Sequence, residues 1–148
     1  SLILAIAPSL FPLLQGTTDS EVFFLLLLTH GLESDPQAAF AKTVAIVLAA
    51  MKAAGVEDSF TMTAAVSDGE AIYALRYAND PHPPSLYYAA GVRPLDEVGI
   101  PVVEADQACL IVSEPLDEVK EQWHEVPPAH MLIAGNGGIG VFPFNPAS

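Results

Sequence analysis

Positive charge is scarce in this chain. Lys42, Lys52, Arg76, Arg93 and Lys120 are its only basic residues, against 18 acidic ones, and the formal net charge is −13. The five do not cluster. A nucleic-acid surface needs a basic face, so nucleic-acid binding is excluded, and so is docking on an anionic membrane. Cysteine is almost missing too. Cys109 stands alone, which excludes an intrachain disulfide framework and suits a cytoplasmic location. Long apolar runs are lacking: Val22–Leu28 and Val44–Met51 are both far short of the roughly 20 residues that cross a bilayer. The apolar opening Ser1–Ala7 has no basic flank and is broken by Pro8, so it does not read as a signal peptide.

What is present suits one domain, or a large part of one. Apolar residues make up 51% of the 148 and charged residues 16%, enough for a core and too apolar for disorder. Thr18 to Gly31 reads as a helix, with Thr18 and Glu21 spaced as a capping box and Gly31 just past the end. Its interior is apolar all round, so it must be covered on most sides, by this chain or by another. Asp35-Pro36 opens a second helix, with Phe40, Val44, Val47, Leu48 and Met51 on one face and Gly55 at its end. Strand-like runs follow. Phe60–Val66 and Ala71–Tyr77 flank Ser67-Asp68-Gly69-Glu70, a hairpin signal. Ser85–Ala89 and Ala108–Val112 read as strands, and Leu116–Trp123 as a short helical or irregular link. His130–Ala134 and Ile139–Phe142 form a last hairpin. Two helices followed by antiparallel hairpins make the fold α+β.

Most site-like motifs fail on their physics. Gly135-Asn136-Gly137-Gly138-Ile139-Gly140 has the letters of a dinucleotide fingerprint, but prolines follow it where a helix must start to hold the pyrophosphate. His124-Glu125 with His130 lacks the one-turn histidine spacing of a zinc protease, and Pro127-Pro128 forbids the helix. No metal site or cofactor is expected. Cys109 lies in an apolar strand, where a structural, inert thiol belongs. Asp19 remains. At a helix start it complements the helix dipole, or it pairs with a substrate ammonium; spacing alone leaves both open.

The ordered series Gly16-Thr17-Thr18-Asp19-Ser20-Glu21, Met62–Glu70, Tyr73–Tyr77, Ser85–Tyr88, Ile111–Asp117 and Trp123–Pro128 resembles the class II glutamine amidotransferases of the N-terminal-nucleophile hydrolase superfamily. The likeness is strongest to small, stand-alone bacterial members and covers nearly the whole chain. It implies a four-layer αββα sandwich and glutamine, or a related γ-glutamyl amide, as substrate. It implies that Asp19 binds the substrate's α-amino group. In the family the nucleophile is an N-terminal cysteine whose own amine is the base, and the carboxylate-binding arginine and the Asn-Gly oxyanion pair lie upstream of the aspartate motif. Residues 1–148 are therefore expected to be the C-terminal portion of one such domain, with no catalytic residue of its own. The missing N-terminal portion or a second chain would then cover the Val22–Leu28 helix, a homodimer being one form of this. The alternative is a non-catalytic binding or assembly module of the same fold.

Overall fold

A computed structural model of the chain describes residues 1–90, 109–116 and 122–146. Arg93, Ala108, Lys120 and most of the Leu116–Trp123 link lie outside the described residues. The chain divides into two units: Ser1–Phe60 together with the tail from Phe144, and Thr61–Pro143.

The first unit is helical. Two 3₁₀ helices, Leu2–Ala5 and Pro8–Leu13, precede α1 (Asp19–Thr29) and α2 (Pro36–Ala53). Between the 3₁₀ helices, Ile6 is buried with Val22, Leu25 and Leu26 of α1. The Ala7 amide donates to Thr29 Oγ1 at 3.0 Å, which ties this opening segment to the end of α1. Asp35 caps α2 by accepting from the Ala38 amide at 3.0 Å, and Pro36 supplies the fixed backbone of the first turn. The face of α2 carrying Ala39, Phe40, Thr43, Val44 and Val47 is buried, whereas Leu48 and Met51 are only half-buried. Phe40 meets Phe23 of α1 with ring centroids 6.2 Å apart. Gly31 and Gly55 follow the two helices with φ of 90° and 68°, a conformation that suits glycine.

The second unit holds two antiparallel sheets. One has the order β1 (Thr61–Ser67), β2 (Ala71–Ala78), β6 (His130–Gly135), β7 (Gly138–Pro143). The other has the order β4 (Cys109–Val112), β3 (Tyr87–Ala90), β5 (His124–Glu125). Ala74, Leu132 and Val141 stand at matched register across three strands. They pack with Leu86, Tyr88, Ile111 and Val126 of the second sheet and its flank, so the two sheets share one core. Leu75 and Met131, on the other face of the first sheet, are also buried. Both faces of its central strands are thus out of water, as β2 predicts by being apolar with little alternation.

The expected β1–β2 hairpin forms with Thr61–Ser67 opposite Ile72–Ala78. Asp68 closes it by accepting from the Glu70 and Ala71 amides at 2.9 and 2.7 Å. The β6–β7 hairpin turns through Asn136-Gly137, with Gly135 opposite Gly138. The α+β class with antiparallel hairpins is therefore observed. The two-residue β5 was not anticipated.

Candidate functional site

Asp19 opens α1. Thr18 is the cap residue, and its hydroxyl accepts from the Glu21 amide at 3.3 Å. The capping geometry differs from a closed box: the Glu21 carboxylate reaches past Thr18 and accepts from the Gln15 and Gly16 amides, each at 2.8 Å. Glu21 thereby folds the preceding loop back over the helix start. Gly16 suits that fold, because a Cβ there would lie 2.9 Å from Glu21 Oε2. Asp19 Oδ1 accepts from the Ser20 amide at 2.8 Å. Oδ2 has no partner among the described residues, and the side chain is exposed. One carboxylate oxygen is thus fixed by the helix and the other is presented outward, a geometry that suits pairing with a cation.

Asn136, Cys109 and His124, from motifs that fail as sites in the sequence, come together elsewhere. In the strand unit, a cleft of about 980 Å³ is lined by Ser67 and Glu70 of the first turn, Asn136 of the last turn, and Tyr88, Cys109 and His124 of the second sheet. The Tyr88 and His124 rings lie 5.2 Å apart. Cys109 is half-buried, and burial pushes its thiol pKa up, away from the reactive thiolate. Among the described residues no three His, Cys, Asp or Glu side chains gather to hold a metal. His30, at the C-terminal end of α1, has its pKa lowered by burial and then by the nearby Lys42. The His130 ring meets the Pro128 carbonyl oxygen at 2.8 Å, and His82 is exposed in its proline loop.

Arg76 was not singled out from the sequence, yet it holds the strand unit together. It is 7% exposed. Its Nε donates to Pro84 O at 2.7 Å, and Nη1 donates to Glu125 Oε1 at 2.7 Å and to Val126 O. One guanidinium from the first sheet therefore ties together the entry to β3 and the end of β5, at one end of the second sheet. A lone arginine between Leu75 and Tyr77 in an apolar strand was the available signal.

No family model and no curated protein matches the sequence. Among solved structures the chain is similar to the glutamine aminotransferase class-II domain protein from Silicibacter pomeroyi, with 37% identity over 99% of this chain and a TM-score of 0.85. The chain thus has a class II glutamine amidotransferase domain as its structural likeness, in support of the resemblance read from its sequence. It spans 60% of that protein's length. The segments that carry the class II likeness fall on defined elements: the Thr18–Glu21 helix start, β1 and its turn, β2, β3, β4 and β5. Asp117, at the end of one such segment, lies outside the described residues. Among the described residues no helix is long and apolar enough to cross a membrane.

Proposed function

We propose that the chain is the C-terminal portion of a class II domain that hydrolyses glutamine, or a related γ-glutamyl amide, to glutamate and ammonia. The likeness at 37% identity over nearly the whole chain carries this reading. The two stacked sheets and the separate helical unit are consistent with part of an αββα sandwich. The nucleophile is a cysteine outside these residues. Its thiolate adds to the side-chain carbonyl carbon, and the tetrahedral oxyanion collapses with loss of ammonia. Water then cleaves the thioester and releases glutamate. We assign the domain to the cytoplasm, where thiols stay reduced.

Asp19 orients the substrate in this scheme. Its outward carboxylate oxygen pairs with the α-ammonium of glutamine, while the Ser20 amide holds the other oxygen at 2.8 Å. The role is positioning, so it acts on binding more than on the chemical step. The test is steady-state release of ammonia and glutamate from glutamine by the protein carrying its upstream coding sequence. Asp19→Ala is expected to raise KM at least tenfold with a smaller effect on kcat. Absence of ammonia release from glutamine and from γ-glutamyl amides would favour the non-catalytic module instead.

A further inference from the structure

We propose that Glu21 is a positioning residue for Asp19: together with Gly16, it sets the substrate-binding carboxylate in place by clamping the loop that leads into α1. The inference rests on the reading of Asp19 as the group that pairs with the substrate's α-ammonium. Glu21 stands in the first turn of α1, where a carboxylate complements the helix dipole without needing a further partner. Here it reaches backwards. Its Oε1 accepts from the Gln15 amide and its Oε2 from the Gly16 amide, each at 2.8 Å. Two N–H donors facing one side chain call for two acceptor oxygens. A carboxylate has both, and a glutamine amide has one.

Asp19 lies inside the segment that the clamp closes, between Gly16 and Glu21. Thr18 is held there as well, its hydroxyl accepting from the Glu21 amide and its carbonyl from the Val22 amide, each at 3.3 Å. The backbone is thus fixed on both sides of Asp19, and the Ser20 amide fixes one carboxylate oxygen at 2.8 Å. Gly16 belongs to the same device, since a Cβ there would lie 2.9 Å from Glu21 Oε2. An exposed ion pair contributes little when its members must first be ordered. A carboxylate already in position when the substrate arrives loses less freedom on binding and holds the ammonium more tightly. The clamp supplies that order. It acts on the ammonium end of the substrate through Asp19, so its effect falls on binding and spares the chemical step.

The test is steady-state release of ammonia from glutamine by the protein carrying its upstream coding sequence. Glu21→Gln and Gly16→Ala should each raise KM by about three- to tenfold, with kcat within about twofold of the native value. Gly16→Ala keeps every charge and crowds only the tip of a flexible side chain, so it opens the clamp in a folded protein. Asp35→Ala removes the carboxylate cap of α2 and should leave KM unchanged, which separates positioning from a loss of helix stability. The double variant reads the connection itself: adding Glu21→Gln to Asp19→Ala should raise KM no further, because the residue it acts through is gone. A KM unchanged by Glu21→Gln or by Gly16→Ala, while Asp19→Ala raises it, overturns the inference and leaves the role of Asp19 standing. Additive effects in the double variant overturn it too. A KM unchanged by Asp19→Ala, or no release of ammonia at all, overturns the reading of the site and the inference with it.

Discussion

Replacing Arg76 by methionine keeps most of the side chain's apolar stem and removes its donors. Three interactions disappear: those to Pro84 O, to Glu125 Oε1 and to Val126 O. The Val126 carbonyl oxygen matters most, since its bond is buried and a buried acceptor left without its donor costs about 1–3 kcal/mol. Pro84 O, in a part-buried bond on an exposed residue, rehydrates and adds about 1 kcal/mol or less. The ion pair matters less, because the Glu125 side chain is 52% exposed and rehydrates when its partner is lost; a pair of that kind contributes on the order of 1 kcal/mol or less. Together these give a destabilisation of about 2–4 kcal/mol, a large share of the 5–15 kcal/mol typical of a whole domain. With a urea m-value of about 2 kcal/mol/M, the unfolding midpoint falls by about 1–2 M. Trp123 is the single tryptophan and is 8% exposed, beside the stapled Glu125, so its fluorescence reports on this site. Glu125→Gln should cost under about 1 kcal/mol, since the amide oxygen still accepts from the guanidinium. Arg76→Lys should fall between, because an ammonium cannot reproduce the fork. The reasoning is wrong if Arg76→Met shifts stability by less than about 1 kcal/mol, or if Glu125→Gln costs as much as Arg76→Met.

Three further outcomes follow from the geometry. The Asp68 pKa is lowered, first by the Ala71 amide and then by the Glu70 amide. Its contribution to stability is therefore full above the unfolded carboxylate pKa of about 3.9 and is lost as pH falls through the lower folded value. The difference in urea midpoint between the native chain and Asp68→Ala should thus shrink between pH 6 and strongly acidic conditions; a constant difference would show that the carboxylate charge plays no part. Gly138 has φ of +103° with open space around its Cβ position, so Gly138→Val should destabilise the last hairpin by about 1–3 kcal/mol through backbone strain alone, measured by thermal unfolding. Cys109 should react with a disulfide reagent at pH 7 several-fold more slowly than free cysteine, because burial raises its pKa; a rate equal to that of the free thiol contradicts the structural role.

The parts of this fold that were legible in the sequence are those whose cause is local. Asp35-Pro36 announces α2 because the cap and the fixed proline backbone act within one turn. Asp68-Gly69 announces the first hairpin because the carboxylate binds amides two and three residues away. What stayed hidden depends on distance along the chain. The partners of Arg76 lie 8, 49 and 50 residues away, so nothing beside it in sequence states its role. The same holds for β5, a two-residue strand that exists because β3 offers Tyr87 and Tyr88 as pairing positions. Glu21 is the intermediate case. Its spacing from Thr18 correctly marks a helix start, yet spacing could not show that the carboxylate would hold Gln15 and Gly16 instead of closing a box. Asp19 shows where local reasoning stops. Its exposed carboxylate satisfies the helix dipole and remains available to a ligand at the same time, so helix physics is consistent with both roles. The likeness to a class II domain favours the second, and the KM of Asp19→Ala for glutamine decides between them: a helix-dipole carboxylate alone leaves KM unchanged, while a substrate-binding one does not.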